Sequence, residues 1–196
     1  YVPNNATLVI VGDVDPEQAY LDSKKAFEDI KPDLNYKKEV FRVSKDLSSK
    51  SITMYRDIQQ PMALWAWAIP GVGDSQTRIV ADLIRWIIGE GKGSVLYRIL
   101  IDELELATDI QIDIYELFDS SIFFIHVNPI DHVSIAKIEQ VIKKELQRLM
   151  DEGVSVGQLQ RAKKQMQMEN LLLFDNNQKI ANELGKLYLA TGNEQE

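Results

Sequence analysis

The sequence has no cysteine and only two histidines among its 196 residues. The lack of cysteine excludes disulfides, thiolate metal sites and a cysteine nucleophile, and it leaves the redox compartment open. His126 and His132 lie in FIHVNPIDH, with Asp131 beside the second. A third fixed ligand is not apparent, and neither His-Glu-x-x-His nor His-x-x-Glu-His occurs. We therefore expect no metal ligands in this chain, with His126 on a strand face beside Ile122 and Phe124 and His132 beside a helix start.

Long apolar runs and an excess of positive charge are also missing. No run reaches the roughly 18 apolar residues that a membrane span needs, and nothing resembles a signal peptide. The formal net charge of −8 disfavours binding to nucleic acid or an anionic membrane through bulk electrostatics. We expect no nucleic-acid partner and no membrane span, and the residues leave the compartment undetermined.

The densest helical pattern in the chain lies within residues 74–107. Apolar residues recur there at helical spacing and predict one buried stripe: Ile79, Val80, Leu83, Ile84, Ile87 and Ile88. Gly89, Gly91 and Gly93 end that helix, and Ser94 is a candidate N-cap for the next one. The stretch predicts a helix, a glycine break and a second helix, which cover one face of a sheet.

Segments rich in apolar and β-branched residues predict the strands of that sheet. They lie at residues 6–11, 51–58, 62–69, 110–115 and 122–127. The unbroken apolar run at 6–11 predicts a strand buried on both faces. The last two strands are joined by a short turn and must be antiparallel. Residues 32–50 form a charged connector, with only a hint of a strand at 40–43.

One strand alternates strictly between apolar and polar residues. Isoleucines at positions 110, 112 and 114 alternate with Gln111, Asp113 and Tyr115, which predicts a strand with one wet face. We expect the isoleucines to face the helices. The polar face, which also includes Asp109, is either simply solvated or the wall of a binding site.

The remaining helices have recognisable ends. Asp15 and Gln18 predict a capping box at the start of one helix, Ser155 and Gln158 predict another, and residues 133–150 form an amphipathic helix between them. Residues 175–177 interrupt the last helical stretch. The order of elements predicts a single α+β domain, with helices packed on one face of a mostly antiparallel sheet.

The other candidate constellations favour structural interpretations. The run Gly89-Glu90-Gly91-Lys92-Gly93-Ser94 is not a phosphate loop, because it lacks the required spacing and follows a helix, where nucleotide motifs follow a strand. No nucleophile-elbow sequence accompanies the histidines. The adjacent carboxylate pairs 102/103 and 151/152 do not share a helix face. Trp65 and Trp67 share one strand face, which is typical of a core or a packing interface.

Three segments resemble the second domain of insulinase/pitrilysin-type zinc peptidases, the inverzincin group that includes mitochondrial processing peptidase. They are PNNATLVIVGDVDPE at residues 3–17, GKGSVLY through ELELA at residues 91–107, and the helix start SVGQLQRAKK at residues 155–164. The resemblance runs from residue 1 to about residue 192. It implies the LuxS/processing-peptidase-like metallohydrolase fold, in which two clamshell halves, each of two similar domains, enclose a chamber where peptides are cut.

In that family zinc is held in the first domain by a His-x-x-Glu-His and a distal glutamate, and this chain has no such motif. The resemblance therefore implies a non-catalytic domain. Substrate-gripping domains of the family carry an arginine and a tyrosine seven residues apart, and Ile101 and Thr108 occupy those positions here. Arg98 is offset by three residues. The missing pair implies a position directly after the zinc-bearing domain.

The sequence thus predicts no catalytic residue and no metal ligand in this chain, which we expect to be inactive alone, with zinc in the preceding domain of the parent. Its expected partners are that domain, the second clamshell half and a peptide substrate. Gln111, Asp113 and Tyr115 are the residues expected to face the chamber. The alternative is a domain of a catalytically inactive relative that acts as a scaffold or binding subunit. A start at Tyr1 and an end soon after residue 192 predict a truncated fragment.

Overall fold

The computed structural model describes residues 2–37 and 48–191, which belong to two compact units, residues 1–42 with 169–196, and residues 43–168. The helices are α1 Pro16–Phe27, α2 Ser75–Ile88, α3 Val95–Tyr97 with a π-helical continuation Arg98–Glu103, α4 Ile135–Glu152, α5 Val156–Leu173 and α6 Asn177–Thr191; the strands are β1 Ala63–Pro70, β2 Ala107–Tyr115 and β3 Ser120–Pro129. None of these helices is long and apolar enough to cross a membrane. The predicted single domain stays a prediction.

The sheet has three antiparallel strands in the order β1-β3-β2. Ile125, in the central strand, stands opposite Trp65 of β1 and Ile112 of β2. The predicted β2–β3 hairpin is present, and β1 lies within one residue of its predicted bounds. The predicted mixture of helices and antiparallel strands is therefore confirmed.

The core of the larger unit lies between one face of the sheet and the helices. Its fully buried members come from β2, β3 and four helices: Ile88, Leu96, Leu100, Ile112, Ile125, Val127, Ile138, Ile142 and Ala162. Ile110 and Ile112 are buried in this cluster, whereas Gln111 between them is exposed. The predicted direction of the isoleucines is confirmed.

The smaller unit contains α1, α6 and the last residues of α5. Within it, the side chain of Asn4 forms two hydrogen bonds with the backbone of Asp33, each of 3.1 Å. Asp15 caps α1 by accepting the Gln18 backbone N–H at 2.7 Å, but the Gln18 side chain donates to Asp22 instead of closing the predicted box. The box is therefore only half formed.

The predicted box at the start of α5 is complete. The Ser155 backbone N–H donates to Oε1 of Gln158 at 2.9 Å, and the Gln158 backbone N–H donates to Oγ of Ser155 at 3.2 Å. The interruption predicted at residues 175–177 also occurs, because α5 ends at Leu173 and α6 begins at Asn177.

Two predicted strands are wrong. Residues 6–11 and 51–58 have no strand structure, and most of their apolar side chains are exposed, with Leu8 at 58% and Ile52 at 82%. Their composition suits a strand, but a strand also needs a neighbour for its backbone hydrogen bonds, and neither segment pairs within the described residues. The strand hint at residues 40–43 falls outside the described part of the chain.

The predicted apolar stripe of α2 is only partly buried. Ile87 and Ile88 enter the core, whereas Ile79, Val80 and Ile84 remain about half exposed. The helix instead turns Ala81 and Arg85 inward together with Ile88. The guanidinium of Arg85 lies 3.4 Å from carboxylates of both Asp82 and Glu90 and stacks on Trp86. These partners compensate the burial of the charge.

We expect replacement of Asp74 by alanine to lower the midpoint of thermal unfolding by a few degrees at pH 7. The Asp74 carboxylate caps α2, and the hydrogen bond from the Thr77 backbone N–H lowers its pKa below the usual 3.8. The carboxylate therefore stabilises the folded state fully at pH values above 3.8, the pKa of the unfolded state. This stabilisation is lost as the pH falls through the lower pKa of the folded state.

The control for this prediction is Asp74→Asn, which keeps a capping oxygen without a titrating group. Thermal unfolding followed by circular dichroism at pH 7 and at pH 3 should show a larger gap between wild type and Asp74→Ala at pH 7. A gap that widens towards pH 3 would contradict the assigned role.

Candidate functional site

The glycine turn between α2 and α3, residues 89–94, is pressed against β2. A Cβ on Gly89 would lie 2.2 Å from Cδ1 of Ile112, so the backbone approaches the strand too closely for any side chain there. Gly91 has a φ of +74°, which favours glycine, and the Ser94 N–H closes the turn on the Gly91 carbonyl at 3.0 Å. Glu90 is held by Arg85 at 3.4 Å. The glycines therefore hold the turn beside the strand.

A shallow cleft of about 370 Å³ lies where this turn meets β2. It is lined by residues 89–92, Tyr97 and residues 109–112. Among the described residues β2 has a partner strand on one side only, so its other edge carries backbone groups that no strand pairs. The cleft thus combines a strand edge with one basic residue, Lys92, two acidic residues, Glu90 and Asp109, and the phenol of Tyr97.

The face of the sheet opposite the core is a mixed polar and apolar surface, which we call the outer face. Across the sheet it has three rows: Gln111, His126 and Leu64; Asp113, Phe124 and Ala66; and Tyr115, Ile122 and Ala68. Gln111 and Tyr115 are exposed, and Asp113 is half-buried and accepts the Ile114 backbone N–H at 2.8 Å. The structure thus brings Gln111, Asp113 and Tyr115 to one face. Whether that face borders a chamber stays a prediction.

Neither histidine belongs to a group of metal ligands within residues 2–37 and 48–191. His126 shares the outer face with Ile122 and Phe124 as expected, and His132 precedes α4 with a φ of +67°. In the part of the chain that the structure describes, no three His, Cys, Asp or Glu side chains are grouped so that they could hold a metal ion.

The positions aligned with the family's arginine and tyrosine have packing and ladder roles here. Ile101 is half-buried against the core. The Thr108 hydroxyl donates to the Asn128 carbonyl at 3.2 Å, next to an irregularity in the β2–β3 register. Arg98 forms an ion pair with Glu103. None of the three side chains enters the cleft lining.

The glycine run predicts a helix break from the sequence but does not predict the cleft. Sequence reasoning does not identify Lys92 and Tyr97 as cleft residues. The available signal is that Tyr97 follows Ser94 by three residues, which places it near the glycines after the first turn of α3. The polar set beginning at Asp109 did indicate one wall. The opposite wall depends on how closely the turn approaches β2, which local patterns do not encode.

Residues 1–166 match the family model described as the peptidase M16 inactive domain. The chain is 24% identical over 167 residues to the zinc protease PqqE of Helicobacter pylori, which covers 83% of this chain and 37% of that protein. Among solved structures it is similar to a protease from Helicobacter pylori, with a TM-score of 0.84 and 20% identity over 94% of this chain and 45% of that chain. It is also similar to a chain of complex III₂ from Candida albicans, with a TM-score of 0.59 and 19% identity over 71% of this chain and 36% of that chain. The chain thus spans less than half the length of these relatives.

Proposed function

The chain belongs to the peptidase M16 inactive domain family, and from this premise we propose that it is a non-catalytic domain lining the substrate chamber of a zinc metalloendopeptidase. In this proposal it packs beside a zinc-bearing domain of the same protein and faces a second clamshell half. The zinc and the reacting groups lie in the zinc-bearing domain, which accords with the lack of a group of metal ligands among the residues described for this chain.

The cleft beside β2 is the observation that supports a role in substrate binding. An extended peptide can add to a free strand edge through backbone hydrogen bonds, which bind a main chain of almost any sequence. The neighbouring side chains of Lys92, Tyr97 and Gln111 would then contact alternate peptide side chains. A domain of this kind holds a peptidase substrate in an extended form without taking part in the cleavage.

The outer face extends that surface across the sheet. In the proposed chamber Gln111, Asp113 and Tyr115 face the enclosed space and offer an amide, a carboxylate and a phenol. The apolar neighbours Phe124 and Ile122 provide contact area beside them. Such a surface tolerates varied peptides, because polar and apolar groups alternate across it.

The experiment is a titration of the isotope-labelled chain with a short unstructured peptide, followed by NMR. We expect the largest amide shifts at residues 89–92 and 109–112. Replacement of Tyr97 by alanine should weaken binding about ten-fold, because an aromatic wall of the cleft is lost. Tyr55→Ala is the matched control, since Tyr55 is 88% exposed and lies outside the cleft.

Equal effects of the two tyrosine substitutions, or shifts confined to the outer surfaces of the helices, would refute the binding role. The purified chain should also leave the peptide uncleaved. Hydrolysis by the chain that a chelator abolishes would refute the non-catalytic role.

The second candidate is a domain of a catalytically inactive relative that serves as a scaffold subunit. The observation in its favour is the similar fold of a chain in complex III₂. The two candidates differ in the preceding domain of the parent protein. A His-x-x-Glu-His there, with bound zinc measured by elemental analysis, supports the peptidase, and its absence supports the scaffold.

A further inference from the structure

One hydrogen bond just beyond the end of β3 fixes the direction of the backbone groups in β2. The Ile130 N–H donates to the Leu106 carbonyl at 3.0 Å, so Ile130 directs its backbone groups towards the segment that leads into β2. In an antiparallel sheet the backbone groups of successive residues point alternately to the two sides of the strand. Even-numbered residues of β3 therefore bond to β2. Their partners in the sheet register include Gln111, Asp113 and Tyr115.

The residues between these partners direct their N–H and C=O groups to the edge of β2 that has no partner strand. They are Ile110, Ile112 and Ile114, whose side chains turn towards the core while their backbone groups lie in the plane of the sheet. A second observation agrees with this assignment. The Ile114 N–H donates to Oδ1 of Asp113, the residue before it, at 2.8 Å. This edge N–H is therefore already occupied.

The open part of the edge is short. Within the described part of the chain, Ile110 and Ile112 have no backbone hydrogen bond outside the sheet, and both line the cleft. Ile114 is not among the lining residues. At the other end, the register of β2 with β3 is irregular just before Asp109. A peptide strand thus finds free N–H groups at Ile110 and Ile112, between an irregular end and an occupied one.

We propose that Asp113 is a positioning residue that ends the peptide-binding edge of β2 and so sets the register of the bound peptide. This inference rests on the proposed binding of peptides at the cleft. An antiparallel peptide would exchange two hydrogen bonds with Ile112 and two with Ile110, which pairs about three peptide residues. To continue to Ile114, a peptide carbonyl would have to displace a carboxylate, which is the stronger acceptor.

The short edge also explains how a substrate can leave the domain. Each backbone hydrogen bond contributes little net free energy in water, so a pairing of this length holds a peptide loosely enough to release it. The Asp113 carboxylate is half-buried on the outer face. A charged side chain at a strand edge also discourages pairing with another sheet, because covering the charge is costly.

The test compares a tripeptide and a heptapeptide of alternating serine and valine, both with blocked ends, by NMR titration of the isotope-labelled chain. In the wild type both peptides should bind with similar affinity and shift the amides of Ile110 and Ile112 but not that of Ile114. In Asp113→Ala the heptapeptide should also shift Ile114 and bind about ten-fold more tightly, because two backbone hydrogen bonds are added. Tripeptide affinity should not change.

Two control variants separate the hydrogen bond from the charge. Asp113→Asn keeps an accepting oxygen beside the Ile114 N–H and should behave as the wild type does. Asp131→Ala removes an exposed carboxylate outside β2 and should also leave both affinities unchanged. If the heptapeptide shifts Ile114 in the wild type as strongly as Ile112, Asp113 does not end the edge, although the peptide-binding role of the cleft stands. Absence of shifts at residues 109–112 in every variant would overturn that role and this inference with it.

Amide hydrogen exchange without peptide tests the occupied N–H directly. In the wild type the Ile114 amide should exchange more slowly than the Ile112 amide, because only Ile114 donates to a carboxylate. In Asp113→Ala the two amides should exchange at similar rates. Similar rates already in the wild type would overturn the inference, whatever the peptides do.

Discussion

Replacement of Ile125 by alanine is expected to lower the free energy of unfolding by about 4 kcal/mol and the midpoint by roughly 10 °C, provided that the larger unit unfolds cooperatively. Ile125 lies in the central strand, is fully buried, and faces the core between Trp65 and Ile112. Deletion of its branched side chain removes apolar contacts with both neighbouring strands and with the helices. A strand bonded on both sides cannot move inward to fill the space, so the full cavity cost applies.

The matched control is Ile122→Ala in the same strand. Ile122 projects to the outer face and is 36% exposed, so the same deletion should cost less than half as much. Chemical denaturation of both variants measures the difference directly. Similar losses for the two residues would mean that the outer face is covered in solution, and the assignment of the core to one face would then be wrong.

The sequence predicts best those elements whose signals are local. The β2–β3 hairpin follows from alternation and a short turn, and the Ser155–Gln158 box follows from a spacing of three residues; both are present. Each depends on residues close together in the chain. The side of β2 that faces the core could therefore be predicted without knowledge of the partner elements.

Local patterns fail to predict the structure of residues 6–11 and 51–58. Their composition is that of strands, but strand formation depends on a free edge at the correct place, which is a property of the whole fold. For α2, the apolar stripe indicates the inward side of the helix only in part, because Ile87 and Ile88 are buried whereas Ile79, Val80 and Ile84 are not. Arg85 also lies on the buried side of α2, because its charge is paired with Asp82 and Glu90. Hydrophobic periodicity does not detect such ion pairs.

The candidate site also has one part that local patterns predict and one part that depends on elements distant in the chain. Gln111 and its polar neighbours could be placed on one face from alternation alone. The cleft could not, because it joins the glycine turn to β2, an element distant in the chain. In the sequence the glycines indicate only a helix break. In the structure they permit close approach on two sides, with Gly89 against Ile112 and Gly93 against Arg161.

Gly71→Ala is the second substitution with a large expected effect, a loss of about 3 kcal/mol. A Cβ on the buried Gly71 would lie 2.1 Å from the backbone oxygen of Phe118, in the turn that joins β2 to β3. Backbone cannot rotate away as a side chain can, so the turn must shift. The hydrogen bond from the Val72 N–H to the Leu117 carbonyl, 3.1 Å long, would be strained by that shift.

The control is Gly73→Ala, two residues further along the same loop. It tests whether the loss in Gly71→Ala results from the clash with Phe118 or from a general requirement for glycine in the loop. Nothing lies within 4 Å of a Cβ at Gly73, so its replacement should be neutral or stabilise by up to about 1 kcal/mol through the unfolded state. Denaturant titration of the two variants gives the comparison. The hairpin turn should also lose amide protection in Gly71→Ala and keep it in Gly73→Ala, because only the first methyl group meets the backbone of Phe118. Equal stability of the two variants would place the end of β1 farther from the hairpin turn than the structure does.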